Sequence, residues 1–213
     1  MWYVVYILLF IMDTNNNKGK YYANKSSLLS FIYNNPFWSS GFVCGEGCFT
    51  AYLSFDIKSQ WGLQPGLDFN ITQSTNDKPI LEAINFYFKN QGGVYDKPNN
   101  VSVVAFRNVK TLKETIVPFF DKYPLIGMKS YEYEKWKKLV DIYYSKTHVG
   151  KNISTKNSIL LFAEITMELN RNRFNFKKLN RLETIIHWLN SLHGFPSMED
   201  KFILFNDINK NKK

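Results

Sequence analysis

From Phe49 onward the chain alternates. Phe49, Ala51, Leu53, Phe55 and Ile57 fall on one side, and Thr50, Tyr52, Ser54 and Asp56 on the other, the period-two pattern of a strand with one buried face. Gly62, Pro65 and Gly66 mark a loop, after which Leu67, Phe69 and Ile71 alternate with Asp68, Asn70 and Thr72. The period then changes to helical. Asp77 is a candidate cap, Pro79 suits a first turn, and Ile80, Leu81, Ile84 and Phe88 form one apolar stripe, ended by Gln91-Gly92-Gly93. A second strand pair follows, Val94 to Lys97 and Val101 to Arg107, turning at Pro98-Asn99-Asn100. Asn108 is placed to cap a helix running to about Phe120. Pro124 precedes a basic helix with Lys129, Lys135, Lys137 and Lys138, and with Leu139, Ile142 and Tyr143 inward. Two more helical patterns cover 156–170 and 174–190; in the second, Leu182, Ile185, Ile186 and Leu189 are apolar and Lys177, Lys178 and Arg181 read as exposed. Gly194 and Pro196 break the pattern, and Phe202 to Phe205 is apolar. With a helix starting near Pro36, the order is helix, two strands, helix, two strands, helices. That is an α+β arrangement, a sheet with helices on one face.

The ends read differently. Met1 to Met12 is almost wholly apolar but too short for a spanning helix, which needs about twenty such residues. It lacks the basic start and small-residue cleavage site of a signal peptide, and its β-branched and aromatic content suits a strand or short docked helix. No transmembrane segment is expected. Residues 13–30, with Asn15-Asn16-Asn17-Lys18 and Asn24-Lys25-Ser26-Ser27, read as a polar linker. The resulting division is 1–36 as an N-terminal extension, 37–173 as the domain and 174–213 as a basic C-terminal extension.

Between linker and first strand lies Phe37-Trp38-Ser39-Ser40-Gly41-Phe42-Val43-Cys44-Gly45-Glu46-Gly47-Cys48-Phe49. Gly41 and Gly45 are four apart and share one helix face, where missing side chains admit a close partner backbone. Glu46 falls in the last turn, and Gly47 is available as a left-handed cap. A carboxylate at the negative end of the helix dipole is unfavourable unless a cation is near. Two such helices packed together would bring two glutamates close enough to share a divalent metal. On spacing alone the better reading is a helix packed tightly on its neighbour, with a solvated Glu46.

Composition narrows the partner. Twenty-seven Lys and Arg against eighteen Asp and Glu leave a net charge of +9, which favours a polyanion. The two strands offer short polar and aromatic side chains on one face, as a β-ribbon reading base edges in a major groove would. An antiparallel sheet with one wet face has the same pattern. Cys44 and Cys48, with His148, His187 and His193 far away in sequence, do not make a zinc finger and read as reduced thiols.

The residues also carry a family likeness. Ser39 to Gly47 resembles the LAGLIDADG motif in its variant ending Gly-Glu-Gly, with Trp38 before it and Cys48-Phe49 after it. Phe69-Asn70-Ile71-Thr72-Gln73, Pro79-Ile80-Leu81-Glu82, Gly92-Gly93-Val94-Tyr95, Pro118 to Leu125, Lys129, Trp136 to Leu139 and Asn170-Arg171-Asn172-Arg173 are similar to the same family in the same order. The resemblance implies a LAGLIDADG half-unit with a curved antiparallel sheet used as a saddle on nucleic acid. It implies a nucleic-acid-binding protein whose ancestral activity is metal-dependent, site-specific DNA cleavage in mobile introns. Glu46 would be the metal ligand, Mg2+ if the chain is catalytic. Gln73 would arrange water near the scissile phosphate, and Lys129 would support its charge. Thr50, Tyr52, Ser54, Asp68, Asn70, Thr72, Arg107 and Lys110 would touch nucleic acid, and Gly41 and Gly45 would form the helix interface.

The family uses two motif helices, and this sequence has one. A cleaving enzyme would therefore be a homodimer. The alternative is a non-catalytic RNA-binding descendant, either an rRNA-binding component of a mitochondrial ribosome, held in a large ribonucleoprotein, or an intron-splicing maturase. Two departures from the motif matter. Cys44 stands where an acid is usual, and Ser39 and Ser40 stand where larger apolar residues are usual, which predicts a looser seam between helices. The Asn, Lys, Ile, Phe and Tyr bias is that of AT-rich genomes, and a mitochondrial location is expected.

Overall fold

The computed structural model describes residues 25–171 and 176–210. Met1 to Met12 and most of the polar segment lie outside them. The elements run α1 (Lys25–Asn34), α2 (Pro36–Glu46), β1 (Gly47–Phe55), β2 (Leu63–Ser74), a 3-10 turn (Thr75–Asp77), α3 (Lys78–Tyr87), β3 (Gly93–Lys97) and β4 (Val101–Phe106). Then follow α4 (Val109–Thr111), a π turn (Leu112–Ile116), α5 (Val117–Lys122), α6 (Gly127–Tyr144), α7 (Ile153–Arg171), α8 (Phe176–Ser191) and α9 (Met198–Lys210). The sheet is antiparallel with strand order β1-β2-β4-β3, which leaves β1 and β3 as edges. Helix and strand order agree with the α+β expectation. Among the described residues no helix is long and apolar enough to cross a membrane.

Three sequence expectations needed correction. The linker stops earlier than position 30, because Leu28 and Ile32, four apart, put one face of α1 into the core. Pro65 and Gly66 lie within β2, not in a loop. Pro65 pairs with Leu53 of β1, whereas β4 pairs β2 only from Phe69 onward. β2 is therefore an edge at Pro65, and the missing N–H interrupts no ladder on that side. Gly47 is extended, with φ −79° and ψ 151°, and is not a left-handed cap. It is glycine for another reason. A Cβ there would lie 2.5 Å from Val43 Cγ1 and 2.7 Å from the Val43 carbonyl oxygen, because α2 runs into β1 with no intervening loop.

Asp77 stands at the N-cap of α3 but its side chain makes no cap hydrogen bond. Two other local signals act as expected. Asn108 Oδ1 accepts from the backbone N–H groups of Lys110 and Thr111 and caps the helix after β4. Asn99 and Asn100 both take positive φ, 66° and 56°, the requirement of the tight turn between β3 and β4. The helix after Asn108 widens to a π turn just before Pro118. Proline offers no N–H and its ring would meet the Glu114 carbonyl, and the wider turn relieves that clash.

The core lies between one sheet face and the helices. Phe49, Phe69 and Phe106 stack side by side across β1, β2 and β4, with Phe49 5.0 Å from the Trp136 ring centroid and 5.8 Å from that of Phe120. One continuous apolar cluster runs from Leu28 and Ile32 in α1 to Ile185 and Leu189 in α8 and Leu204 and Ile208 in α9. The lysines of α6 are less free than the sequence suggests. Lys135 pairs with Glu168 at 2.5 Å and Lys137 with Asp121 at 2.6 Å.

Asp121 ties α5 to α6, and this makes the fold acid-sensitive. Burial pushes its carboxyl up, but hydrogen bonds from Lys137 Nζ (2.6 Å) and the Tyr133 hydroxyl (2.7 Å) prevail and hold it below the ordinary 3.8. A depressed carboxyl contributes stability above its unfolded value and loses it as pH falls through the folded one. Asp121→Asn is therefore expected to lower the urea midpoint more at pH 7 than at pH 3, since part of the wild-type advantage is lost as acid protonates the carboxyl. An equal loss at both pH values would show that the charge plays no part.

Candidate nucleic-acid interface and metal centre

The second sheet face is open. Thr50, Tyr52 and Ser54 of β1 and Asp68, Asn70 and Thr72 of β2 point away from the helices, as alternation requires. In register, Thr50 stands opposite Asp68, Tyr52 opposite Gly66, and Ser54 opposite Gln64. Arg107 follows β4 directly, next to Asp68 of the neighbouring strand, with its Nε 3.2 Å from Asp68 Oδ1. Its Nη2 donates to the Tyr95 hydroxyl at 3.0 Å, and the guanidinium lies 5.7 Å from the Tyr95 ring centroid. Burial works against the Arg107 charge, but Asp68 and Tyr95 hold it in place.

A polar band therefore crosses all four strands, from Tyr52 through Asp68 and Arg107 to Tyr95. Tyr52 lies flat across β2, since a Cβ on Gly66 would fall 2.2 Å from its ring. Burial and then the Asp68 carboxylate push the Tyr52 hydroxyl up, so it remains a neutral donor. Lys110 stands off the sheet on α4, exposed and 4.0 Å from Glu114.

Three residues of the open face escaped the sequence reading. Tyr95 and Lys97 share a side of β3, which alternation could have assigned, and Gln64 was hidden by reading Gly62 to Gly66 as a loop.

The motif helix ends at the rim of this face. Ser39, Ser40 and Val43 turn inward, and Ser40 Oγ donates to the Tyr123 carbonyl at 2.6 Å. The two serines thus face this chain's own core, so they do not loosen an outer seam as expected. The outward side carries Phe37 (65% exposed), Gly41 and Gly45, and nothing in the described structure lies within 4 Å of a Cβ built on either glycine. Cys44 sits between these sides, its Sγ 3.9 Å from the Ile126 carbonyl oxygen.

Glu46 is exposed at the C-terminal end of α2. Lys129 reaches the same junction, donating to the Gly47 carbonyl at 2.9 Å and to Glu132 at 3.1 Å. Gln73 lies two residues beyond Ile71, the partner of Gly47. It sits at the end of β2, on the side of the strand that faces the helices. The fold thus brings Glu46, Gln73 and Lys129 to one end of the sheet, around Gly47.

Hard oxygen at the negative end of a helix suits Mg2+ or Ca2+. One carboxylate is not a complete site, and no group of three His, Cys, Asp or Glu that could hold a metal occurs among the described residues. The donor set fits a metal only if a second unit supplies the rest.

A motif helix with a bare glycine face, ending in a carboxylate beside the polar face of a four-stranded sheet, defines a LAGLIDADG unit. The family model for LAGLIDADG endonuclease matches residues 39–140. A solved homing endonuclease, I-TnaI, is 30% identical with a TM-score of 0.62, the match covering 71% of this chain and 97% of that one. The solved structure of I-SmaMI bound to uncleaved DNA target in the presence of calcium ions is 26% identical with a TM-score of 0.60, over 64% of this chain and 45% of that one. A probable intron-encoded endonuclease of Neurospora crassa is 31% identical over 134 residues, 61% of this chain and 24% of its own length. The chain thus spans about a quarter of that curated relative. It belongs to the LAGLIDADG endonuclease family.

Proposed function

We propose that this chain is one half of a metal-dependent, site-specific DNA endonuclease. The observation that carries this reading is the position of Glu46: exposed, at the end of a helix whose outer face is glycine, at the rim of a polar sheet face. A second unit laid along Gly41 and Gly45 would set a second carboxylate beside the first. That unit is another copy of the chain, a homodimer, or a repeat in a longer polypeptide. The match to nearly all of one solved homing endonuclease and to under half of another supports both arrangements.

The open face would take a DNA major groove. Thr50, Tyr52, Ser54, Asp68, Asn70, Thr72 and Arg107 meet base edges, and Lys110 meets the backbone. At the rim, Glu46 of each unit would hold Mg2+, which when bound lowers the pKa of a water and stabilises the leaving oxygen. Lys129 adds positive charge beside the phosphate, and Gln73 orients water. The intron-encoded relative and the AT-biased composition support a mitochondrial location.

Incubating the protein with a randomised duplex library and magnesium should yield a defined set of staggered cuts. Glu46→Gln should abolish cutting while duplex binding persists. Undiminished cutting by Glu46→Gln would overturn the metal assignment.

A further inference from the structure

Helix α8 is anchored by Leu182, Ile185 and Leu189, all buried. It packs against α7, which packs along β1. Lys178 and Arg181 belong to the same helical stripe, since 178, 181, 182, 185 and 189 follow the spacing of one face. The stripe therefore changes from apolar to basic where it leaves the core. That point lies beside β1, the end strand of the sheet among the described residues. A groove of about 260 Å3 is lined there by Lys178, Arg181 and Leu182 on one side and by Thr50 to Ser54 on the other. Its strand side includes Thr50, Tyr52 and Ser54, which belong to the open sheet face.

Arg181 is half-buried, contrary to its exposed reading in sequence. Its Nε is closed off from solvent with no hydrogen-bond acceptor, and no ion pair holds it among the described residues. Burial alone pulls its pKa down, with no carboxylate to counter the loss of hydration. A guanidinium that has lost part of its water and gained no counter-charge is less stable than a hydrated one, and an anion would relieve that. Arg is also the side chain best shaped to take a phosphate through paired N–H groups.

We propose that Arg181 and Lys178 form a backbone clamp: together with the hydroxyls of Thr50 and Ser54 they take a phosphodiester of the nucleic acid lying on the open sheet face. This rests on the reading of that face given above. It makes helix α8 part of the binding surface, which the sequence motif does not include. The contact fixes position along the duplex and reads no base.

The test is binding of a random-sequence DNA duplex by fluorescence anisotropy across a potassium chloride series. Each phosphate contact contributes about 0.9 to the slope of log affinity against log salt for duplex DNA. Arg181→Gln and, separately, exposed Lys178→Gln should each flatten the slope by about that amount and weaken binding at low salt, while Arg181→Lys retains most of the slope. A thermal melt of each variant separates lost folding from lost contact. Slopes equal to wild type in both glutamine variants overturn the clamp. If the wild-type protein binds the duplex with no salt dependence, the reading of the open face fails first, and the clamp with it.

Discussion

Gly45→Leu is expected to leave the unit folded, indeed slightly more stable, and to remove the DNA cleavage proposed above for the paired units. In the described structure nothing lies within 4 Å of a Cβ at Gly45, so the new side chain meets solvent. Glycine in an exposed helix interior weakens it by ~1 kcal/mol relative to a good helix former, and α2 carries two such glycines on one face. A chain selected only for its own stability gains from replacing them. For a chain of this size the gain amounts to a melting temperature higher by about 2–4 °C.

The seam responds in the opposite sense. Overfilling a close-packed contact costs about 1–3 kcal/mol, and a symmetric pair meets the leucine twice, so pairing weakens by roughly thirtyfold or more. Cleavage needs both carboxylates and falls with pairing, whereas duplex binding by a single unit falls less. Melting, sedimentation and magnesium-dependent cutting measured on one preparation check all three. Cutting at the wild-type rate would show that α2 is a solvent-facing helix and that the proposed seam lies elsewhere.

The contrast with Gly47, two residues on, shows what the sequence could and could not reveal. Both glycines stand in one short motif and are indistinguishable there. In the structure Gly45 faces open space, and Gly47 has the Val43 carbonyl 2.7 Å from where its Cβ would be. Spacing placed Gly41 and Gly45 on one face but could not say which face was outward. The inward phase is set by tertiary partners, the Tyr123 carbonyl for Ser40 among them. Strand alternation fixed most of the reading face without any homologue, because a period of two is local. Pro65 and Gly66 defeated it, since a strand edge and a ring lying over a glycine are non-local facts. The junction of Glu46, Gln73 and Lys129 came from family likeness, and no local pattern would have joined residues 46, 73 and 129. Arg181 was misread for a related reason: helical periodicity shows which residues share a stripe but not where the core beneath that stripe ends.

Phe49→Ala is expected to be the most damaging single core change near the site. Phe49 is fully buried, and its ring centroid lies 5.1 Å from Phe69, 5.0 Å from Trp136, 5.6 Å from Tyr133 and 5.8 Å from Phe120. Truncating such a side chain costs about 3–5 kcal/mol, the transfer and cavity losses together. That is a melting temperature lower by roughly 6–20 °C. Val103 is almost as buried, at 1% exposure, but it points to the open sheet face and stands outside the main apolar cluster. Val103→Ala removes only two carbons, for which area bookkeeping gives a transfer loss of about 1.5 kcal/mol. Urea titration of the two variants should separate them by a factor of two or more. Equal losses would mean that the Phe49 ring contributes less than its buried area implies. Phe49 also stands two residues after Gly47, so its packing fixes where β1 begins and, through the direct helix-to-strand join, where Glu46 points. Phe49→Leu, which keeps most of the volume, should therefore recover stability before it recovers the proposed cleavage, because the metal role proposed for Glu46 tolerates less displacement than a core does.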